Sequence, residues 1–157
     1  MRKLMVSLLI AISVLSCAGN VKAGGGKTQG SDTADFKDKD WKLVEVWLDG
    51  KKVTFNRKEL EAQKAEGFYT LKFDAENLSG VGAPNRYSAP YTVDGKKIKS
   101  MLARATLMAA LWQPESLKEH DFFLYMQNIS EWVITDGKLE LSSKTEDGRP
   151  VKLVFAQ

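Results

Sequence analysis

Few side chains in this sequence can do covalent chemistry. The 157 residues hold one cysteine, Cys17, and one histidine, His120. A thiolate is a strong nucleophile, and Cys17 is the one side chain here that readily accepts a diacylglyceryl group as a thioether. His120 is followed by Asp121, but a catalytic imidazole needs a carboxylate that orients it and a hydroxyl on its other nitrogen. Helix neighbours point about 100° apart, so Asp121 is badly placed, and His120 reads as a solvated side chain. One histidine and one cysteine cannot make a zinc site. Asp94, Asp136 and Asp147 each precede a glycine, which is the ordinary hairpin signal and lacks the acidic spacing of an EF-hand loop. No metal, no cofactor and no catalysis are expected.

Binding chemistry has more material. Asn85, Arg86 and Tyr87 stand together. As a recognition loop, Arg86 would offer a forked donor to an anionic group while Tyr87 stacks. As architecture, Asn85 would bond the backbone of a bend, Arg86 would cover the sheet and Tyr87 would enter the core. The architectural reading is preferred, because the trio lies between glycine- and proline-rich turns whose geometry must be fixed. Of the four tryptophans, Trp41, Trp47, Trp112 and Trp132, most are expected in the core. Trp112 sits in a loop-like stretch and is expected to be exposed for partner contact.

The elements that position these residues begin with a leader. Arg2 and Lys3 precede an apolar run at residues 4–15, shorter than the roughly 20 residues that span a bilayer but suited to a signal peptide. Val14-Leu15-Ser16-Cys17 resembles the lipobox of bacterial lipoproteins, which implies cleavage before Cys17 and lipid on it. Two or three acyl chains anchor stably where one is marginal. The expected organisation is a signal peptide at 1–16, a flexible lipidated tether at 17–36 and one folded domain at 37–157. The tether is rich in Gly, Ser, Thr and Lys and cannot bury enough surface to offset its ordering entropy. About 18 residues of such coil reach roughly 25 Å.

Charge excludes some partners. The chain has 23 basic and 20 acidic side chains, +3 in all. Without Arg2 and Lys3 the count is 21 against 20, or +1. The charges are interspersed, so neither a nucleic-acid footprint nor a polybasic membrane patch is expected. With no second cysteine the domain holds no internal disulfide.

Within the domain, residues 41–48 are rich in β-branched and aromatic types, and Asp49-Gly50 turns them back toward 53–55. Residues 57–66 suit a short exposed helix or a loop. Residues 68–73 alternate, with Tyr69, Leu71 and Phe73 on one side. A bend lies within 77–90. Residues 87–93 form a strand that turns at Asp94-Gly95 and returns over 98–107. The best helix spans 114–129, with Pro114 in its first turn and Glu115 near its positive end. Strands at 131–135, 139–142 and 151–155 follow, separated by Asp136-Gly137 and Asp147-Gly148. The pattern predicts an α+β fold: a mostly antiparallel curved sheet or partly open barrel packed with one main helix.

The stretch LSGVGAPNRYSAPY at 78–91 resembles the signature of the META domain, found in HslJ-type heat-shock lipoproteins. Phe73, Ser79, Gly80, Asn85, Arg86, Tyr87 and Tyr91 match that family without a gap. Thr106-Leu107-Met108-Ala109-Ala110 is similar to its Thr-x-Met-Ala-Cys segment, and Trp41-Lys42-Leu43 to its opening. The resemblance covers about 40–155. The family's two cysteines fall here on Pro84 and Ala110, so both are absent together. This leaves open what holds the Asn85 bend against the Thr106 segment, and stiffening by Pro84 is one expectation.

The resemblance implies a small, stress-related envelope protein without enzymatic activity, and a fold similar to the pilot lipoproteins of type III secretion. The expected function is therefore a non-catalytic envelope lipoprotein that binds a protein or another envelope component. It would sit on the membrane through Cys17, at the periplasmic or surface face of the outer membrane. The alternatives are a carrier of a small apolar ligand or lipid in a barrel cavity, and a pilot-like assembly factor. Oligomeric state is left open.

Overall fold

The structure, a computed structural model, describes residues 36–101 and 104–157. The expected signal peptide, Cys17 and the tether up to residue 35 lie outside the described residues.

Strand β1 (Trp41–Leu48) buries Trp41, Leu43 and Val46. The inward positions skip a residue because the register against the last strand shifts between Leu43 and Glu45, and the extra residue of a bulge turns Glu45 outward. Asp49 and Gly50 both take positive φ, 51° and 73°, as a two-residue type I′ turn requires. The chain returns as only β2 (Lys51–Lys52), so the predicted strand at 53–55 is reduced to the bond from Val53 N–H to Val46 O (2.8 Å). Helix α1 (Arg57–Ala62) then takes up one of the two readings of 57–66, capped by Asn56, whose side chain accepts from Lys58 N–H.

Strands β3 (Thr70–Phe73), β4 (Asn77–Val81) and β5 (Arg86–Asp94) run as an antiparallel meander. The predicted return over 98–107 is two pieces on one edge of β5, β6 (Lys97–Ser100) and β7 (Arg104–Ala105). Helix α2 (Glu119–Gln127) is shorter than predicted, since residues 115–116 form a turn and Glu115 lies outside the helix. Glu119 and Asp121 are its acidic first-turn residues. Strands β8 (Glu131–Thr135), β9 (Lys138–Lys144) and β10 (Pro150–Ala156) complete the chain.

Eight of these strands close on themselves in the order β1-β3-β4-β5-β6-β8-β9-β10, with β10 returning to β1 from Lys42↔Ala156 to Leu48↔Val151. Every pairing is antiparallel. Among the described residues the fold is a β-rich barrel with two short helices. The expected balance of a sheet against one main helix therefore shifts toward strands. Closure removes the free edges an open sheet would expose. The seam between β6 and β8 is thin, carried by the pair Lys97↔Glu131 and bonds from Ile98 N–H to Ser130 O (2.9 Å) and Trp132 N–H to Lys96 O (3.0 Å). Helix α2 is fastened beside it. Ser100 Oγ donates to Met126 O and Ser143 Oγ to Tyr125 O, both at 2.6 Å, which ties the last turn of the helix to β6 and β9 at carbonyls that intrahelical bonds leave partly or wholly unsatisfied.

Large rings fill the barrel. Trp41, Tyr69, Phe73, Phe122, Trp132 and Phe155 are all buried, each contributing roughly 1.5–3 kcal/mol by burial. Tyr69 meets Phe122 edge-on at 5.2 Å. Phe36, placed in the tether by its sequence surroundings, is fully buried with its ring 4.6 Å from both Phe73 and Trp132, and its carbonyl accepts from Trp41 Nε1 at 2.8 Å. The domain therefore begins at least one residue before the expected boundary at 37.

Candidate functional site

The bend between β4 and β5 is held from inside the protein. Glu119, the first residue of α2, is buried, and its Oε1 accepts Ala83 N–H at 2.5 Å and Asn85 N–H at 2.6 Å. Its Oε2 accepts Asn85 Nδ2 at 2.7 Å. Asn85 then reaches the other way. Its Oδ1 accepts Thr106 Oγ1 at 2.8 Å and Met108 N–H at 2.6 Å, and Nδ2 donates to Met108 O at 3.1 Å. Gln113 closes the circuit, donating to Ala83 O (2.8 Å) and accepting Glu119 N–H (3.0 Å). This last bond satisfies one of the unpaired N–H groups at the helix start, where Lys118 supplies no side-chain cap. The question left by the missing cysteines thus has an answer: side-chain hydrogen bonds tie the bend to residues 106–113.

The trio of Asn85, Arg86 and Tyr87 is divided. Asn85 is buried in the network and Arg86 is exposed. Tyr87 is in the core, its hydroxyl donating to Thr70 O at 2.8 Å and its ring 5.8 Å from Phe122. Burial pushes the Tyr87 phenol well above its ordinary value. Arg86 and Tyr87, as strand neighbours, point to opposite faces, so they do not form one recognition loop. Gly80, opposite Tyr87 in the register, is required by close approach: a Cβ there would lie 2.0 Å from Thr70 O.

The network carries an exposed apolar loop. Leu107 and Leu111 are fully exposed and Met108 is 60% exposed. Trp112, expected to stand free, is instead half-buried and packs against the core. It lines a cleft of about 240 Å³ with Phe68, Pro84, Met108, Ala110 and Leu111. Pro84 and Ala110, the positions of the family's cysteines, therefore face the same cleft. An adjoining cleft of about 440 Å³ shares Lys64, Ala65, Phe68, Pro84 and Met108 and is bordered by Arg86. The two form one groove. Contiguous exposed apolar surface of this kind marks interaction sites, and a loop pinned from below loses little freedom when it binds.

The remaining chemistry is dispersed. His120 is exposed and makes no hydrogen bond among the described residues. It lines a polar cleft of about 500 Å³ with Asp121, Asp147 and Arg149, among others. Asp147 is held below its ordinary value by the Thr145 hydroxyl and then by Arg149, and Arg149 is its ion-pair partner at 2.9 Å. Among the described residues no cluster of His, Cys, Asp and Glu could hold a metal ion. None of their helices is long and apolar enough to cross a membrane.

Sequence reasoning missed Glu119 and Gln113, because the bend they hold, at Ala83 and Asn85, lies 30 or more residues away. It also missed Leu107 and Leu111, although residues 106–112 form an apolar run without a single charge.

A family model described as META domain matches residues 34–157. No curated protein matches the sequence. Among the solved structures similar in fold are the following two. A DUF4847 family protein from Bacteroides vulgatus has a TM-score of 0.53 at 15% identity, covering 77% of this chain and 93% of its own. A protein from Burkholderia xenovorans, solved by NMR, has a TM-score of 0.55 at 16% identity, covering 80% and 86%.

Proposed function

The chain belongs to the META domain family, and from that premise we propose that it is a non-catalytic, stress-related lipoprotein of the cell envelope. Lipid on Cys17 holds it at the outer membrane, and it acts by keeping a protein partner against residues 107–111. The observation that carries this reading is the full exposure of Leu107 and Leu111 on a loop pinned by Asn85. Two exposed leucines cost solubility, and a buried network that fixes them gives them a role as anchors. The interior rings of Trp41, Tyr69, Phe122 and Trp132 occupy the space a carried ligand would take. This supports the loop, rather than the barrel interior, as the binding element. A pilot-like assembly role is one form of the same reading.

The test is in-envelope photo-crosslinking from residue 111 of the full lipoprotein, with two controls. One, Cys17→Ala, removes the anchor, and the other, Leu107→Ser with Leu111→Ser, removes the anchors of the loop. One partner recovered in comparable amount, and lost in the loop variant, is the expected result. Recovery of the protein alone would overturn the partner reading. Metabolic labelling with palmitate, lost in Cys17→Ala, tests the anchor separately.

A further inference from the structure

The groove beside the loop has a charge imbalance that selects its occupant. Lys64 and Arg86 stand on its rim, and no carboxylate is among the residues that line either of its clefts. Neither cation has an ion-pair partner among the described residues, as is also true of Lys42, Lys51, Lys58, Lys97, Lys99, Arg104 and Lys144, and what sets these two apart is the apolar groove they border. In a chain whose basic and acidic residues nearly balance, two unpaired cations on an apolar groove are a local excess.

The position of Lys64 is fixed by its backbone. Helix α1 ends in a Schellman turn, with Lys64 N–H on Glu61 O (3.0 Å) and Ala65 N–H on Leu60 O (2.8 Å). Lys64 itself takes the left-handed conformation at φ 55°, where glycine is usual. Arg86 is fixed equally well, its N–H on Thr106 Oγ1 at 3.1 Å and its carbonyl accepting Thr106 N–H at 3.0 Å.

We propose that this groove binds an apolar peptide segment bearing carboxylates. Met108, Leu111 and Trp112, which line the groove, cover the segment's apolar side chains with the exposed Leu107 on the same loop, while Arg86 and Lys64 meet its acidic ones. The inference rests on the reading of residues 107–111 as a contact surface and adds the chemistry of the partner. Arginine's planar fork matches a carboxylate in two parallel bonds. The groove opens at the Val81–Arg86 end of the β4–β5 hairpin. The chain enters the barrel at the other end, where Phe36 packs on Phe73 and Asp38 N–H bonds Phe73 O. Two cations and no carboxylate on its lining favour a carboxylate-bearing segment as the occupant.

The test uses the full lipoprotein in phosphatidylcholine nanodiscs. The probes are a set of short synthetic peptides that scan the spacing of leucine and phenylalanine, each made with aspartate, asparagine or lysine between the apolar positions. The aspartate series is expected to bind about tenfold tighter than the asparagine series, and the difference shrinks as salt rises. Arg86→Gln with Lys64→Gln removes that difference and leaves the asparagine peptides bound. Leu107→Ser with Leu111→Ser abolishes binding of every series. All four side chains are exposed, and thermal unfolding of each variant verifies that it folds. Equal binding of the aspartate and asparagine series would overturn carboxylate recognition and leave the contact surface standing. Binding of no peptide, or preference for phosphatidylglycerol vesicles over all peptides, would overturn the proposal as a whole.

Discussion

Asn85 Nδ2 lies 2.7 Å from Glu119 Oε2, joining the tip of a β-hairpin to the first residue of a helix 34 positions further along the chain. Glu119 accepts three N–H groups through this contact and its bonds to Ala83 and Asn85. An amide in its place would turn one donor toward other donors. Glu119→Gln is therefore expected to destabilise the domain by about 3 kcal/mol, read by urea unfolding. It should also speed hydrogen exchange at Met108, whose N–H depends on Asn85. A loss under roughly 0.5 kcal/mol, the range of neutral surface changes, would show that the network is not a stabilising unit.

Gly80 leaves no room for a methyl group. The Cβ of Gly80→Ala would meet backbone at 2.0 Å, at Thr70 O, and backbone yields less readily than a side-chain tip. A loss of about 3 kcal/mol or more is expected, seen as a fall in unfolding midpoint or as insoluble expression. At Gly82 the close atoms are side-chain atoms, Glu119 Oε1 and the Phe123 ring, at 2.7 Å, so Gly82→Ala should be the milder of the two.

Lys64 gives a prediction of opposite sign. Its φ of 55° costs a side-chain-bearing residue about 1 kcal/mol, and glycine carries no such penalty. Lys64→Gly is expected to raise stability by roughly 0.5 kcal/mol after the larger chain entropy of glycine is subtracted. A lower melting temperature would count against the Schellman turn as the end of α1.

Burial raises all four tyrosines, Tyr69, Tyr87, Tyr91 and Tyr125, above the ordinary phenol value. A group whose folded value is raised contributes stability that is complete below its unfolded value, about pH 10. That contribution is lost as pH climbs through the folded value. Tyrosinate absorbance from the buried Tyr69 and Tyr87 should therefore appear together with loss of tertiary structure, and not before it. Either of these two titrating near pH 10 in the folded protein would contradict this burial.

Leu107 and Leu111 contribute nothing to the core, so serine at both positions should change stability by no more than about 0.5 kcal/mol. Self-association at high concentration, measured by sedimentation, should fall. A large loss of stability would mean that the leucines pack in solution.

Local patterns in the sequence revealed much of the barrel and little of its interior wiring. The Asp-Gly pairs marked their turns because backbone geometry is a local property: Asp136 and Gly137, at φ 52° and 74°, adopt what the dipeptide prefers. The alternation of Leu71 and Phe73 likewise predicted the inward face of β3. Pro114 and Glu115 favour a helix start in the sequence, whereas Gln113, bonded to Ala83 30 residues away, caps Glu119 N–H and sets the start there instead. Phe36 falls at the end of the expected tether, and only its contacts with Phe73 and Trp132 reveal it as core. Within the candidate site, Asn85 was legible as a bend residue, but Glu119, Leu107 and Leu111 depend on pairings that a linear reading does not contain.

The pairing of β1 with β10 joins the beginning of the domain to its end. During synthesis, Trp41 to Leu48 appear early and their partners at 150–156 appear last, so the cylinder cannot be sealed on a partial chain. Pairings between such distant residues also form slowly. Without residues 150–156, β1 and β9 would each lose this antiparallel neighbour and become open edges, the kind of surface that pairs with other chains.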